Sequence, residues 1–337
     1  MSIESKVPAL APHDVELLTR VASLYYLEDA TQVEIASLLG FSRPKVARLL
    51  QRARAEGIVE ITIRTHPALS LRLESELAER FGLARVVLVA DQQGEQAQRT
   101  AVARAAAELL VRTVRAGGGV AVGMGRNVGA IPEQLANAPT RECVFVSAIG
   151  GSPQVGAAVN PNDICRRLAE RFGGRAETLY APAYAESSES REALLRHGDI
   201  RHTLERARAA DLAVVGIGDA RDDSAVVQMG CFSPAEMARM RRAGAVGDIL
   251  GFFFDIDGAA IGGSVGDRVV GLAAEHLRAI PKVLAVASEP GKARAVLGAL
   301  RTGLVDLLVT SVEIGREVSG GDESAAPIRK RGASAER

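Results

Sequence analysis

A chain of 337 residues is too long for one small hydrophobic core, so two domains are expected. Its 41 basic and 41 acidic residues cancel, which excludes a generally polybasic coat but leaves room for a local basic patch. Hydrophobic residues make up 47 %, yet no apolar run is long enough to cross a bilayer and the start lacks a signal peptide, so a cytoplasmic protein with no membrane partner is expected. The 3 cysteines, Cys143, Cys165 and Cys231, are far apart, read as reduced buried residues, and offer no metal-site spacing. Neither a metal nor a cofactor is expected.

The first helix is expected from about Val15 to Tyr26, where Val15, Leu17, Leu18, Val21, Ala22, Leu24 and Tyr25 recur at helical spacing. Gln32–Leu39 reads as a second helix, with Val33, Ile35, Ala36 and Leu39 as buried candidates. Thr31 and Glu34 stand in the capping-box relation, and Gly40 stops the helix. Ser42 is placed to cap a third helix, and Pro44 fits its opening turn. Val46, Leu49, Leu50 and Ala53 form its apolar stripe, Gly57 ends it, and Ile58–Arg64 alternates like a strand.

Three helices with a tight last connection, then a strand, outline a winged helix-turn-helix. The third helix carries Arg43, Lys45, Arg48, Arg52 and Arg54 with no acid before Glu56. A solvated helix face is the plain alternative. Caps, turn, apolar spacing and basic run agree better on double-stranded operator DNA. Arg43 and Lys45, near the helix start, are candidates for base edges. Arg48 and Arg52 lie farther along, to read bases or clamp the backbone, while Gln32 and Ser42 are placed for phosphate.

His66–Glu79, with Leu69, Leu71, Leu73 and Leu77 among charges, reads as a connecting helix. From Arg85 the texture changes. Residues 86–90, 119–123, 143–151, 212–218, 283–288 and 306–310 are strand-like. Helical stretches fall at 95–115, 161–172, 200–209, 266–278 and 290–301. Strand-to-helix alternation with glycine at the strand exits predicts an α/β fold with a parallel sheet covered on both faces. Ligands of such sheets sit beyond the carboxyl ends of the strands.

Glycine clusters occupy those ends. "VGMGRN" offers Gly123, Gly125, Arg126 and Asn127; "IGGSPQ" offers Gly151, Ser152 and Gln154; "GIG" makes a third loop. "ASEPGKARAV" puts Glu289 before a helix and Lys292 in its first turns. Backbone amides and a cation suit a phosphate, while Glu, Asn and Gln hold hydroxyls, so a sugar phosphate fits this mixture. Glycine loops are also simply how doubly wound sheets turn. None fits a Walker or dinucleotide pattern.

Two regions of the chain carry a resemblance to a known family. "LLTRVASLYYLEDATQVEIASLLGFSRPKVARLLQRARAEGIVEITI" resembles the DNA-binding domain of SorC-type bacterial transcriptional regulators. "VGMGRNV", "AIGG", "NDICRRLAERFGG", "ADLAVVGIGD", "GAVGDILGFFFDIDG" and "KVLAVASEPGKARAVLGALRTGLVDLLVTS" resemble, in order, their effector domain. The resemblance implies a Rossmann-like domain related to sugar-phosphate isomerases but used as a sensor, with phosphorylated sugars or polyols as typical effectors. It also implies a homo-oligomer, dimer or tetramer. Carried to this chain, the first glycine loop and the region of Lys292 hold the effector's phosphate, while Asp255 and Glu289 face its hydroxyl end. Met124 and Asn127 stand where relatives commonly have Trp and Thr, and Ser288–Pro290 replaces a common Gly-Gly. Pro290 removes one amide that an anion would use. An unphosphorylated polyol therefore stays open.

The expected organisation is a winged helix-turn-helix at 13–65, a linker helix at 66–82, an effector and oligomerisation domain at 83–315, and a disordered tail at 316–337. The expected function is a regulator of carbohydrate or polyol metabolism with no catalytic residue, cytoplasmic and nucleoid-associated when DNA-bound. The alternative is a sugar-phosphate isomerase-like enzyme with an accessory DNA-binding domain, for which Asp255, Asp257 and Glu289 supply carboxylates. A further option is an architectural oligomer with a vestigial pocket.

Overall fold

The computed structural model describes residues 12–59, 67–136, 138–152, 156–222, 224–228, 230, 232–262 and 266–320. The chain folds as two units, residues 1–64 and 65–337.

In the first unit, helices α1 (Pro12–Tyr26), α2 (Gln32–Leu39) and α3 (Arg43–Ala55) surround Val21, Ile35, Ala36, Val46 and Leu50. Thr31 and Glu34 form the expected capping box, and Gly40 closes α2 in the left-handed region at φ 67°. The Ser42 hydroxyl makes no cap bond to α3; its carbonyl instead accepts from the Lys45 and Val46 amides. Val33, expected in the core, is 61 % exposed. Ile35 and Ala36 already fill the buried face of so short a helix, and Val33 falls on the other side. Ile58 and Val59 pack on Leu18, Ala22 and Ala53. Most of the expected wing strand lies outside the described residues.

The second unit opens with α4 (Pro67–Phe81), β1 (Arg85–Val89), α5 (Glu95–Thr113), β2 (Gly119–Val122) and α6 (Arg126–Gly129). It continues through β3 (Val144–Ser147), α7 (Pro161–Phe172), β4 (Arg175–Glu177), α8 (Ser188–Arg196), α9 (Gly198–Arg208) and β5 (Leu212–Gly216). A small excursion follows: β6 (Gly218–Asp219), α10 (Ala225–Gln228), α11 (Pro234–Arg242), β7 (Gly247–Ile249) and β8 (Phe252–Phe254). The unit closes with α12 (Ala274–Ala279), β9 (Val283–Val286), α13 (Ala293–Arg301), β10 (Leu307–Ser311) and α14 (Val312–Gly320).

Seven strands form one parallel sheet in the order β1-β10-β9-β5-β2-β3-β4. Both faces are buried, which is why its strands read as apolar runs rather than alternating ones. On β9, Val283 and Ala285 serve one core while Leu284 and Val286 serve the other. The strand order reverses between β2 and β5, which opens a crevice at their carboxyl ends. The antiparallel trio β6-β7-β8 lies apart from the main sheet. Its β7–β8 turn places Leu250 at φ 52° and Gly251 at φ 78°. A leucine with positive φ is uncommon; a two-residue hairpin connection favours turns with positive φ at its central positions.

Three expectations need correction. Residues 266–278 are not one helix: a single 3-10 turn at Gly266–Arg268 precedes buried Val269, Val270 and Leu272, and α12 begins only at Ala274. Bridges Tyr184↔Val269 and Ile149↔Gly271 hold that stretch extended. Helix α13 starts at Ala293 rather than residue 290, because Pro290 and Gly291 (φ 82°) make a turn first. The boundary set at 316 falls inside α14, where Ile314 and Val318 are buried; 321–337 lie outside the described residues.

Candidate functional site

The crevice between β2 and β5 holds a small cleft of about 70 Å³. Three strand exits build it. The turn after β2 and the start of α6 bring Gly125, Arg126 and Asn127; the end of β5 and the start of β6 bring Gly216, Ile217 and Gly218; the turn after β9 brings Glu289 and Lys292. The β7–β8 hairpin adds Asp248, Leu250 and Gly251.

Glu289 is the centre of a polar network although it is only 3 % exposed. Its Oε2 accepts from Asn127 Nδ2 at 2.7 Å and lies 3.0 Å from Lys292 Nζ. Its Oε1 is 3.6 Å from an Arg126 guanidinium nitrogen and 3.7 Å from one of Arg99, on α5. Ser288 Oγ donates to Asn127 Oδ1 at 2.5 Å, which fixes the amide's orientation toward Glu289. Lys292 also donates to the Ile217 carbonyl at 2.9 Å. Burial pushes the Glu289 carboxyl up, but Lys292 and the Asn127 hydrogen bond outweigh it and bring it down to about 2.

Asp248 is the opposite case. It is 5 % exposed, and its Oδ2 accepts from the Gly251 amide at 2.9 Å. Its Oδ1 is buried with no hydrogen-bond partner. Burial pushes this carboxyl up to about 6, against the pull of the Gly251 bond and Lys292 and with a push from Asp219. A Cβ on Gly218 would sit 2.0 Å from that oxygen, so only glycine lets β6 pass beneath it. The remaining wall is apolar: Met124, Ile149, Val226 and Leu250, with the ring of Tyr184.

Of the residues expected at an effector site, Gly125, Arg126, Asn127, Glu289 and Lys292 line this cleft together. Gly123 lies just behind them, its amide bonded to the Val214 carbonyl. Gly151 and Ser152 do not line the cleft: Gly151 is bonded to Ala181 and Ala183, and the Ser152 carbonyl accepts from Asn160. Gln154 lies outside the described residues. Asp255 is placed elsewhere, its Oδ1 accepting from the amides of Asp257 and Ala259 to close a turn. The cleft residues that sequence reasoning passed over are Asp248, Leu250, Gly251, Tyr184 and Val226, with Arg99 behind the wall. Asp248 stood in the quoted "GAVGDILGFFFDIDG", but nothing local distinguishes it from an exposed turn aspartate. Among the described residues, no group of His, Cys and carboxylates is placed to hold a metal ion.

In the first unit, Ser42, Arg43, Lys45, Arg48 and Arg52 are all exposed. Gln32 and Arg43 share one open groove with Tyr25, Tyr26 and Thr31. The Lys45 ammonium lies 3.8 Å above the Phe41 ring at the helix start. Arg52 faces another way: it pairs with Asp14 of α1 at 3.1 Å and with Glu56 at 3.7 Å.

Residues 65–318 match the family described as "Putative sugar-binding domain". Over 319 residues the chain is 31 % identical to "Transcriptional regulator LsrR" of Klebsiella pneumoniae, covering 94 % of this chain and 96 % of that protein. It is 28 % identical to "Erythritol catabolism regulatory protein EryD" of Brucella abortus, covering 92 % and 98 % respectively. The crystal structure of the full-length sorbitol operon regulator SorC from Klebsiella pneumoniae superposes with a TM-score of 0.70 at 27 % identity, covering 90 % of this chain and 98 % of that one. No helix among the described residues is long and apolar enough to cross a membrane. The chain belongs to the sugar-binding-domain family of SorC-type transcriptional regulators.

Proposed function

We propose that this chain is a DNA-binding transcriptional regulator of carbohydrate or polyol metabolism whose operator affinity is set by a small sugar or polyol in the β2–β5 crevice. One observation carries the reading. A buried polar pole of Asp248, Glu289, Lys292 and Asn127 faces an apolar wall at the strand-order reversal, where a parallel sheet binds ligands. The relatives' names, an erythritol catabolism regulator and a sorbitol operon regulator, support the ligand class.

The proposed domains are 13–65 for DNA, 66–82 as linker, and 83–320, through the end of α14, for effector binding and oligomerisation. On DNA, Arg43, Lys45 and Arg48 are the principal contacts, with Gln32 and Ser42 on phosphate. Arg52 contributes through its pairing with Asp14. A dimer or tetramer presents paired heads to a roughly palindromic operator, since two linked heads gain from effective concentration. The effector acts by its differential affinity for the states of that assembly. The protein works in the cytoplasm, on the nucleoid when DNA-bound.

A thermal-shift screen of sugars, polyols and their phosphates tests the effector site. Each hit is then tested for its effect on binding to native promoter DNA. Stabilisation together with a changed operator affinity is expected. Chemical conversion of a bound ligand would instead favour the isomerase-like enzyme, with Asp248 as the available base.

A further inference from the structure

We infer that the effector is an uncharged sugar or polyol, and that Glu289 fills the place a ligand's phosphate would take. This rests on the cleft being the effector site.

The argument is a count of donors and acceptors. A phosphate ester presents acceptors and negative charge, so it needs free donors and unpaired cations. The cleft has few to offer. Asn127 gives its Nδ2 to Glu289, and its Oδ1 takes the Ser288 hydroxyl. Lys292 directs its ammonium at the Ile217 carbonyl and at Glu289. Arg126 and Arg99 both approach the same Glu289 carboxylate. The protein's own carboxylate thus sits where the cations converge, and it is almost wholly buried. An incoming dianion would have to take these cations from Glu289 while lying against it.

Behind the wall Arg99 Nε lacks a partner, but the unmet group on a residue that lines the cleft is of the other kind. Asp248 lines the same space, and its buried Oδ1, packed over Gly218, is an acceptor with no partner. It asks for a donor, which a hydroxyl supplies and a phosphate dianion does not. The neighbouring Ile217 carbonyl and Glu289 carboxylate are acceptors too. Hydroxyl groups at this pole, with the carbon chain along Met124, Val226 and Leu250, match the lining on both sides. The effector class read from the glycine loops and Lys292 alone leaned toward a phosphate; the partner that already occupies Lys292 points the other way.

Calorimetry on the full-length protein decides it, using polyols and free sugars of four to six carbons, each beside its terminal phosphate ester. The uncharged member of the best pair is expected to bind at least about tenfold more tightly, since a charged-group hydrogen bond lost or left opposed weighs this much. Glu289→Gln, which frees the cations, should narrow or reverse that preference and let inorganic phosphate compete for the site. Tighter binding of the phosphate ester by the unaltered protein overturns the inference, whether or not the variant folds. Binding of neither member would count against the effector site itself, a different failure.

Discussion

Asp248→Asn is expected to stabilise the effector-free protein at neutral pH and to weaken its ligand. The Asp248 carboxyl is buried and its pKa is raised to about 6, against 3.8 for the unperturbed group. A raised carboxyl pKa means that the folded state holds the proton more tightly than the unfolded chain. The resulting stability is full below pH 3.8 and is lost as the pH rises through 6. With both states ionised at neutral pH, burial of the charge costs about 3 kcal/mol relative to the protonated form. Moving from about pH 7.5 to about pH 5 should return roughly 1–1.5 kcal/mol of this to the native protein. It should return none of it to the Asp248→Asn variant, whose amide does not titrate. Glu289 does not confuse the reading. Its pKa is lowered to about 2, so its contribution is present above pH 4.5 and is lost only as the pH falls below that. Urea unfolding of the native protein and of Asp248→Asn at the two pH values measures the difference. The same variant should bind a polyol at least about tenfold more weakly, because a neutral amide replaces the charge-assisted hydrogen bond between the carboxylate and the ligand's hydroxyl. Equal pH dependence in the two proteins would refute the assignment of a buried, titrating Asp248.

Other substitutions test other parts. Alanine at Arg43, Lys45 and Arg48 together should abolish most operator affinity and reduce the salt dependence of binding by about one log–log slope unit per lost phosphate contact, as read by gel shift across a salt series. Arg52→Ala should cost the first unit at most about 1 kcal/mol of stability, because its pair with Asp14 is largely exposed; a melting curve reads this. Gly129→Ala should destabilise by about 1–3 kcal/mol and weaken effector binding, since its Cβ would lie 1.7 Å from the Ala158 carbonyl and must displace α6, which carries Asn127; denaturation and calorimetry report the two effects. Residues 1–66 alone should lose most operator affinity, and the effector should alter DNA binding only in the full-length chain, as footprinting of both proteins would reveal.

Much of the architecture was legible because it rests on local rules. The Thr31–Glu34 capping box, the left-handed Gly40, the basic face of α3 and the limits of α7 between Asn160 and Gly173 follow from short-range hydrogen bonding and from glycine's freedom at positive φ. The strand runs were legible because a parallel sheet buried on both faces admits little but apolar residues. That Gly125, Arg126, Asn127, Glu289 and Lys292 lie at strand exits, where such sheets offer a cleft, was legible too. What sequence did not determine is how those groups meet. Residues 127 and 289 are hydrogen-bonded because β2 and β9 flank β5, a matter of strand order. Asp248 enters the cleft only because a separate hairpin folds over it, while Asp255, a few residues on, turns into its own loop. Likewise, α14 runs past residue 316 because Val318 finds a buried seat. Propensity and capping act over a few residues and can be read along the chain. Charge pairing, burial and an unmet acceptor depend on neighbours far apart in sequence, and the tertiary structure alone brings them within bonding distance.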